Sequence, residues 1–262
     1  MNRIQQKFND LQDRNETAFI PFSVAGYPDV DRSMDVFLKL SEAGGDILEF
    51  GYPFSDPVAD GPVIQKAATT AIRNGISIDK SLEMIRRIRE KSDIPIVFFS
   101  YFNPIHKYGT KKFCERAKGS GVDGLLIVDL PLEETLWLKP HADAADLAWI
   151  FLATPTTPPE RIRAMDQQGT GFLYYVSVTG VTGARQSLPQ DLADTCSEIR
   201  NTCRLPLAVG FGVSDACQAT WLRSHVDCVV IGSAILSRLE RGDSVDDLGQ
   251  WLTEIKDALR GQ

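Results

Sequence analysis

The sequence predicts an α/β protein built as a single (β/α)8 TIM barrel with extra helices, with residues 1–262 forming one domain. Three observations lead there. Eight short, nearly continuous apolar runs punctuate the chain, at Ala18–Val24, Ile47–Phe50, Ile94–Phe99, Gly124–Val128, Ala148–Leu152, Phe172–Val176, Leu207–Val209 and Cys228–Ile231. Segments with helical start and stop signals alternate with them. Eight strands and their helices use about the whole length of a 262-residue chain, which is the arithmetic of a barrel. The competitor is a doubly wound open sheet. It would usually carry a Gly-rich dinucleotide turn after the first strand, whereas this chain has Val24-Ala25-Gly26-Tyr27-Pro28 there.

In chain order, Met1–Asp13 sets Ile4, Phe8 and Leu11 at helical spacing among charges. That predicts a helix ahead of the first strand and not a signal peptide. The apolar runs lack polar alternation, as suits strands buried on both faces of a parallel sheet. Pro62 opens a helix to Asn74, and Gly75 stands where a left-handed cap would lie. Ser81–Lys91 predicts a second additional helix. Thr157-Pro158-Pro159-Glu160 reads as an N-cap Thr, a Pro at the first helical position and a Glu at the third. Ser214-Asp215 begins a further helix, and Ser244 with Asp247 caps the last. No internal repeat is evident.

Composition narrows the class. Lys and Arg number 28 against 35 Asp and Glu, a formal charge of −7, which argues against a nucleic-acid or anionic-membrane surface. No apolar run approaches the ~20 residues that span a bilayer. The five Cys form no C-x-x-C pair and read as reduced thiols, so the expected location is the cytoplasm.

In a barrel, chemistry gathers at the C-terminal ends of the strands. Glu49 lies inside the second apolar run, where a carboxylate is costly unless it is ion-paired or functional. The Pro-rich loop Tyr52–Gly61 then carries Asp60, either to cap the next helix or to bring a second carboxylate to the pocket. Gly210-Phe211-Gly212 and Gly232-Ser233 follow the seventh and eighth runs, each leading into a helix, the recurrent phosphate site of such barrels. Thr179-Gly180-Val181-Thr182-Gly183, after the sixth run, could add a third wall, a lid or a plain loop. No Lys stands at a strand end for Schiff-base chemistry, and His106, His141 and His225 are dispersed, so no metal cluster is expected. Only His106 lies in a loop that could approach the pocket mouth, and Cys228 reads as core packing. Carboxylate acid–base chemistry on a phosphorylated substrate remains.

The run from Leu48 through Glu49-Phe50-Gly51-Tyr52-Pro53-Phe54-Ser55-Asp56-Pro57-Val58-Ala59-Asp60-Gly61 to Pro62 resembles the signature of the tryptophan synthase alpha chain family. Supporting blocks follow in order and at family-like spacing. They are Phe19-Ile20-Pro21-Phe22, Ala25-Gly26-Tyr27-Pro28, Asp129-Leu130-Pro131, Gly180-Val181-Thr182-Gly183, Gly210-Phe211-Gly212 and Ile231-Gly232-Ser233. Phe50 departs from the pattern, which usually has a smaller aliphatic residue there, and bears on strand packing.

The resemblance implies a lyase of tryptophan biosynthesis that cleaves indole-3-glycerol phosphate to indole and glyceraldehyde 3-phosphate. Glu49 would be its general acid and base, and Asp60 would accept the indole N–H. It implies a phosphate held by Gly183, Gly210, Phe211, Gly212, Gly232 and Ser233, with Thr182 also at the substrate. The indole would lie among Phe22, Ile64, Phe99, Tyr101, Leu126 and Phe211, with Tyr174 supporting Glu49. It further implies a tryptophan synthase beta chain partner in an alpha2beta2 heterotetramer, with Asp56 and Pro57 at the contact. No cofactor is expected in this chain, pyridoxal phosphate belonging to the partner. The alternatives are a free-standing indole-releasing lyase, a binding-only relative, or another phosphosugar barrel such as an isomerase.

Overall fold

A computed structural model describes residues 2–176, 191–210, 213 and 215–260. Its eight strands are β1 Ala18–Val24, β2 Leu48–Gly51, β3 Ile96–Ser100, β4 Gly124–Ile127, β5 Ala148–Ala153, β6 Leu173–Tyr175, β7 Leu207–Gly210 and β8 Cys228–Ile231. They pair in chain order, all parallel, and β8 closes on β1, so the barrel expectation holds. β3 begins at Ile96 and not at Ile94 because Pro95 has no N–H to give the ladder; its carbonyl instead accepts the Leu48 N–H at 2.8 Å.

The helices are α1 Arg3–Asp13, α2 Val30–Glu42, α3 Pro62–Arg73, α4 Ile78–Arg89, α5 Phe102–Tyr108, α6 Thr110–Ser120, α7 Lys139–Ala144, α8 Pro159–Gln168, α9 Leu192–Thr202, α10 Ala216–Leu222, α11 Ser233–Arg241 and α12 Val245–Arg260. A 3-10 turn, Leu132–Trp137, precedes α7. Most predicted ends are found. Gly75 has φ +71, Asp215 accepts the Gln218 N–H, and Ser244 and Asp247 cap reciprocally. Thr157 is a correction. Its hydroxyl accepts the Thr154 N–H at 2.9 Å within the preceding turn, so Pro158 takes the cap position of α8 with no side-chain bond. Ser214 lies outside the described residues. Phe50 is accommodated by stacking on Phe37, with ring centroids 4.5 Å apart, and facing Phe98 on its other side.

Inside the barrel Ile20, Val97, Leu126, Ile150, Phe172 and Val230 interlock, and α1 plugs the lower end with Ile4, Phe8 and Leu11. Cys228 belongs to this interior, as expected. A device at the lower rim ties strands two by two. Asp46, just before β2, accepts the Phe19 N–H of β1 at 2.8 Å, and Asp123, before β4, accepts the Ile96 N–H of β3 at 2.9 Å. Thr170, before β6, accepts the Trp149 N–H of β5 at 2.9 Å, and Asp227, before β8, accepts the Leu207 N–H of β7 at 2.8 Å. Each of the four returns its own N–H to the carbonyl of the same partner residue. The three carboxylates are also paired with cations: Asp46 with Lys256 at 2.6 Å, Asp123 with Arg89 at 3.0 Å, and Asp227 with Arg200 at 2.9 Å. This fourfold pattern was not evident as a repeat in the sequence.

Candidate active site

Inward-facing positions of a barrel strand recur every second residue. On β2 that rule puts Glu49 inside, in register with Phe22 of β1 and Val97 of β3. The carboxyl is 1% exposed, and its Oε1 atom has no hydrogen-bond partner. No salt bridge joins Glu49 to any cation among the described residues, so the plain reading of a structural ion pair does not apply. Burial without compensation raises its pKa to about 8, so the group is mostly protonated at neutral pH.

Asp60 arrives from the loop after β2. That loop is a set of turns, with Val58 N–H bonded to Asp56 O at 2.9 Å and Asp60 N–H to Pro57 O at 3.0 Å. Gln65 of α3 grips its end by donating to the Asp60 carbonyl at 2.9 Å. The cap position of α3 is Gly61, without a side-chain bond, so Asp60 is not spent on capping. Its carboxyl is 6% exposed, and burial raises its pKa to about 6 against the opposing pull of a hydrogen bond from Tyr101. The same Tyr101 hydroxyl accepts the Ala59 N–H at 3.1 Å, and its ring lies against Phe54. Tyr101 therefore holds both the loop and the carboxylate that the loop carries.

Aromatic rings shape the mouth around these two acids. Phe22 and Phe99 meet edge to face with centroids 5.1 Å apart. A Cβ at Gly51 or Gly232 would meet the Phe22 ring, at 2.6 Å and 2.8 Å respectively, and one at Gly210 would meet the Tyr174 hydroxyl. These glycines leave the volume that the rings occupy. The Tyr174 pKa is raised well above its ordinary value by burial first, then by the charges of Glu49 and Asp60. All three groups thus share one electrostatic neighbourhood. Leu126 is buried in the barrel interior, while Ile64 sits half-buried at the start of α3. Val128 and Leu152, like Tyr174, pack against the barrel interior and were not singled out from the sequence. The two-residue periodicity of their strands, running 124, 126, 128 and 148, 150, 152, was the available signal.

Two strands round the barrel from β2, β8 runs through Gly232 directly into α11, whose first residue is Ser233. Gly232 supplies no capping side chain, and the first helical bond is Leu236 N–H to Gly232 O. The N–H groups of the opening turn therefore stay available to an anion at a helix start. Thr182, Gly183, Phe211 and Gly212 lie outside the described residues. His106 is exposed on α5, the helix that follows β3, with its ring against Phe102.

Known proteins agree on one family. The model of the family described as "Tryptophan synthase alpha chain" matches residues 8–259. A tryptophan synthase alpha chain of Citrifermentans bemidjiense is 44% identical over 262 residues, covering 99% of this chain and 98% of its own. That of Caldanaerobacter subterraneus is 46% identical over 242 residues, 92% of each chain. Among solved structures, Mycobacterium tuberculosis tryptophan synthase superposes with a TM-score of 0.93 at 31% identity, over 100% of this chain and 99% of the other. Tryptophan synthase subunit alpha of Legionella pneumophila does so with 0.89 at 32%, over 99% and 98%. With its fold, its signature loop and nearly its full length accounted for in this way, the chain belongs to the tryptophan synthase alpha chain family.

Proposed function

We propose that Glu49 and Asp60 carry out the reaction of this family, the cleavage of indole-3-glycerol phosphate to indole and glyceraldehyde 3-phosphate. The observation that carries the assignment is Glu49, a carboxyl held protonated at neutral pH on the inner face of β2 with an oxygen left unpartnered. A protonated acid at that place can give its proton to C3 of the indole. The ring then carries positive charge toward its nitrogen, and ionised Asp60 accepts the N–H and stabilises that charge. Glu49, now a carboxylate, takes the proton of the hydroxyl on the side-chain carbon attached to C3. The C3–carbon bond breaks, its electrons return to the ring, and that carbon becomes the aldehyde of the second product. One residue serves as acid and then base, a contribution on the order of 10²–10⁴-fold.

Phe22, Phe99, Leu126, Ile64 and Tyr101 would hold the indole, with Tyr174 beside Glu49. Gly210, Gly232 and Ser233, with Thr182, Gly183, Phe211 and Gly212, would hold the phosphate at the opening of α11. Pyridoxal phosphate is assigned to the beta partner, since no step above uses it. The partner is the tryptophan synthase beta chain in an alpha2beta2 assembly, which receives the indole. Among the described residues no helix is long and apolar enough to cross a membrane, in keeping with a cytoplasmic enzyme.

Indole release by the purified chain, with and without a beta chain, tests the reading. Wild type is expected to be slow alone and to accelerate sharply with the partner. Glu49→Gln should bind substrate with near-normal affinity and lose at least about 10³-fold in kcat. Near-normal turnover in that variant would remove Glu49 from the mechanism, and a fast rate needing no partner would instead mark a free-standing lyase.

A further inference from the structure

The far end of the barrel holds a cleft of about 1210 Å³, bounded by the chain after α1, the approaches to β7 and β8, and the end of α12. It lies at the N-terminal ends of the strands, opposite Glu49, and none of the chemistry above uses it. Five arginines line it, Arg14, Arg200, Arg204, Arg223 and Arg260, against the carboxylates of Glu16 and Asp227. In a chain of formal charge −7, this is a local excess of positive charge.

The pairing within the cleft is uneven. Arg200 is neutralised by Asp227 at 2.9 Å, and Arg204 by Asp166, outside the cleft, at 2.9 Å. Glu16 alone faces Arg14 at 3.5 Å, Lys256 at 3.7 Å and Arg260 at 3.9 Å, all longer than a close ion pair. Lys256 is committed to Asp46 and Arg260 leans also on Asp257 at 3.5 Å, which leaves Arg14 poorly compensated. Among the described residues Arg223 has no carboxylate partner; its Nη1 donates to the Ala258 carbonyl at 3.2 Å. Phe8, Leu11, Val226 and Leu259 also line the cleft, the last three almost fully buried, so its surface is mostly polar.

We propose that this cleft is a second anion site, for a small metabolite carrying two phosphate groups. Guanidinium forks match phosphate oxygens in pairs. Arg14 and Arg223 supply the charge that no carboxylate among the described residues fully neutralises. The site is independent of the acid–base mechanism.

Inorganic pyrophosphate is the probe, titrated calorimetrically into the full chain in saturating glycerol 3-phosphate, added to fill the phosphate position proposed at the catalytic end. One pyrophosphate per chain is expected, with affinity that falls steeply as salt rises. Arg14→Gln and Arg223→Gln should each weaken it by about tenfold, and Arg223→Lys by less. Indole release should stay at the wild-type rate in all three, which also reports that they fold. Absence of binding, equal affinity in the variants, or loss of binding as glycerol 3-phosphate is added would each overturn the proposal. If Arg223→Gln does not fold, Arg14→Gln decides alone, because Arg14 is half-exposed and follows α1.

Discussion

At the scale of single residues, the two carboxyls are set apart by what surrounds them. Glu49 has desolvation and nothing to offset it, while Asp60 has desolvation opposed by the Tyr101 hydroxyl. The productive state, Glu49 protonated and Asp60 ionised, is therefore populated between about pH 6 and about pH 8. A bell-shaped kcat/KM profile with limbs near those values is expected. Tyr101→Phe deletes the bond that lowers the Asp60 pKa, so its acidic limb should move to higher pH while the alkaline limb stays; coincident profiles would exclude this role. Both carboxyls were legible in the sequence, because an acid in an apolar run or in a Pro-rich loop at a strand end is conspicuous. The Tyr101 contact was not, since it joins Tyr101 to Asp60 and to Ala59, the latter 42 positions away, and no spacing rule connects them.

At the scale of elements, the strands were legible because burial on both faces leaves an unbroken apolar run. α5 was not, since it follows β3 after one residue, spans seven residues and carries no polar cap on Tyr101. The lower-rim clamps were hidden for another reason: their donors are backbone N–H groups that leave no mark in the sequence, and the acceptor, just outside an apolar run, is Asp at three places and Thr at the fourth. Their contributions should differ with charge and burial. Asp123→Ala leaves Arg89 and the Ile96 N–H without their shared carboxylate, with an expected loss on the order of 3–5 kcal/mol. Thr170→Ala removes one neutral bond at an exposed side chain, expected to cost about 1 kcal/mol. Urea midpoints of the two variants, with unchanged m values, would check the ranking; equal losses would contradict it.

At the scale of the whole molecule, the catalytic acid is a burden on stability. The Glu49 pKa stands near 8 in the folded chain against an ordinary 4.5, so between those values the native state holds a proton that the unfolded chain has released. Stability is complete at low pH with respect to this group and declines as pH rises through about 8. The penalty at pH 9 is at most about 5 kcal/mol. Glu49→Gln carries no such charge. Its Tm should exceed that of wild type by on the order of 10 °C at pH 9, the gap shrinking toward pH 5. Parallel Tm curves across that range would show that burial of Glu49 has been misjudged.

The clamps at the lower rim also divide the chain into modules. They join β1 to β2, β3 to β4, β5 to β6 and β7 to β8, and the side-chain half of the device is missing from the seams between those pairs. The barrel is thus assembled as four βαβ quarters, the arrangement that successive duplication of one small unit would leave behind. Two polypeptides divided between β4 and β5 keep every clamp within one piece, whereas a division between β3 and β4 separates Asp123 from Ile96. Co-expressed halves of the first kind should reassemble into a chain that releases indole, and halves of the second kind should do so poorly.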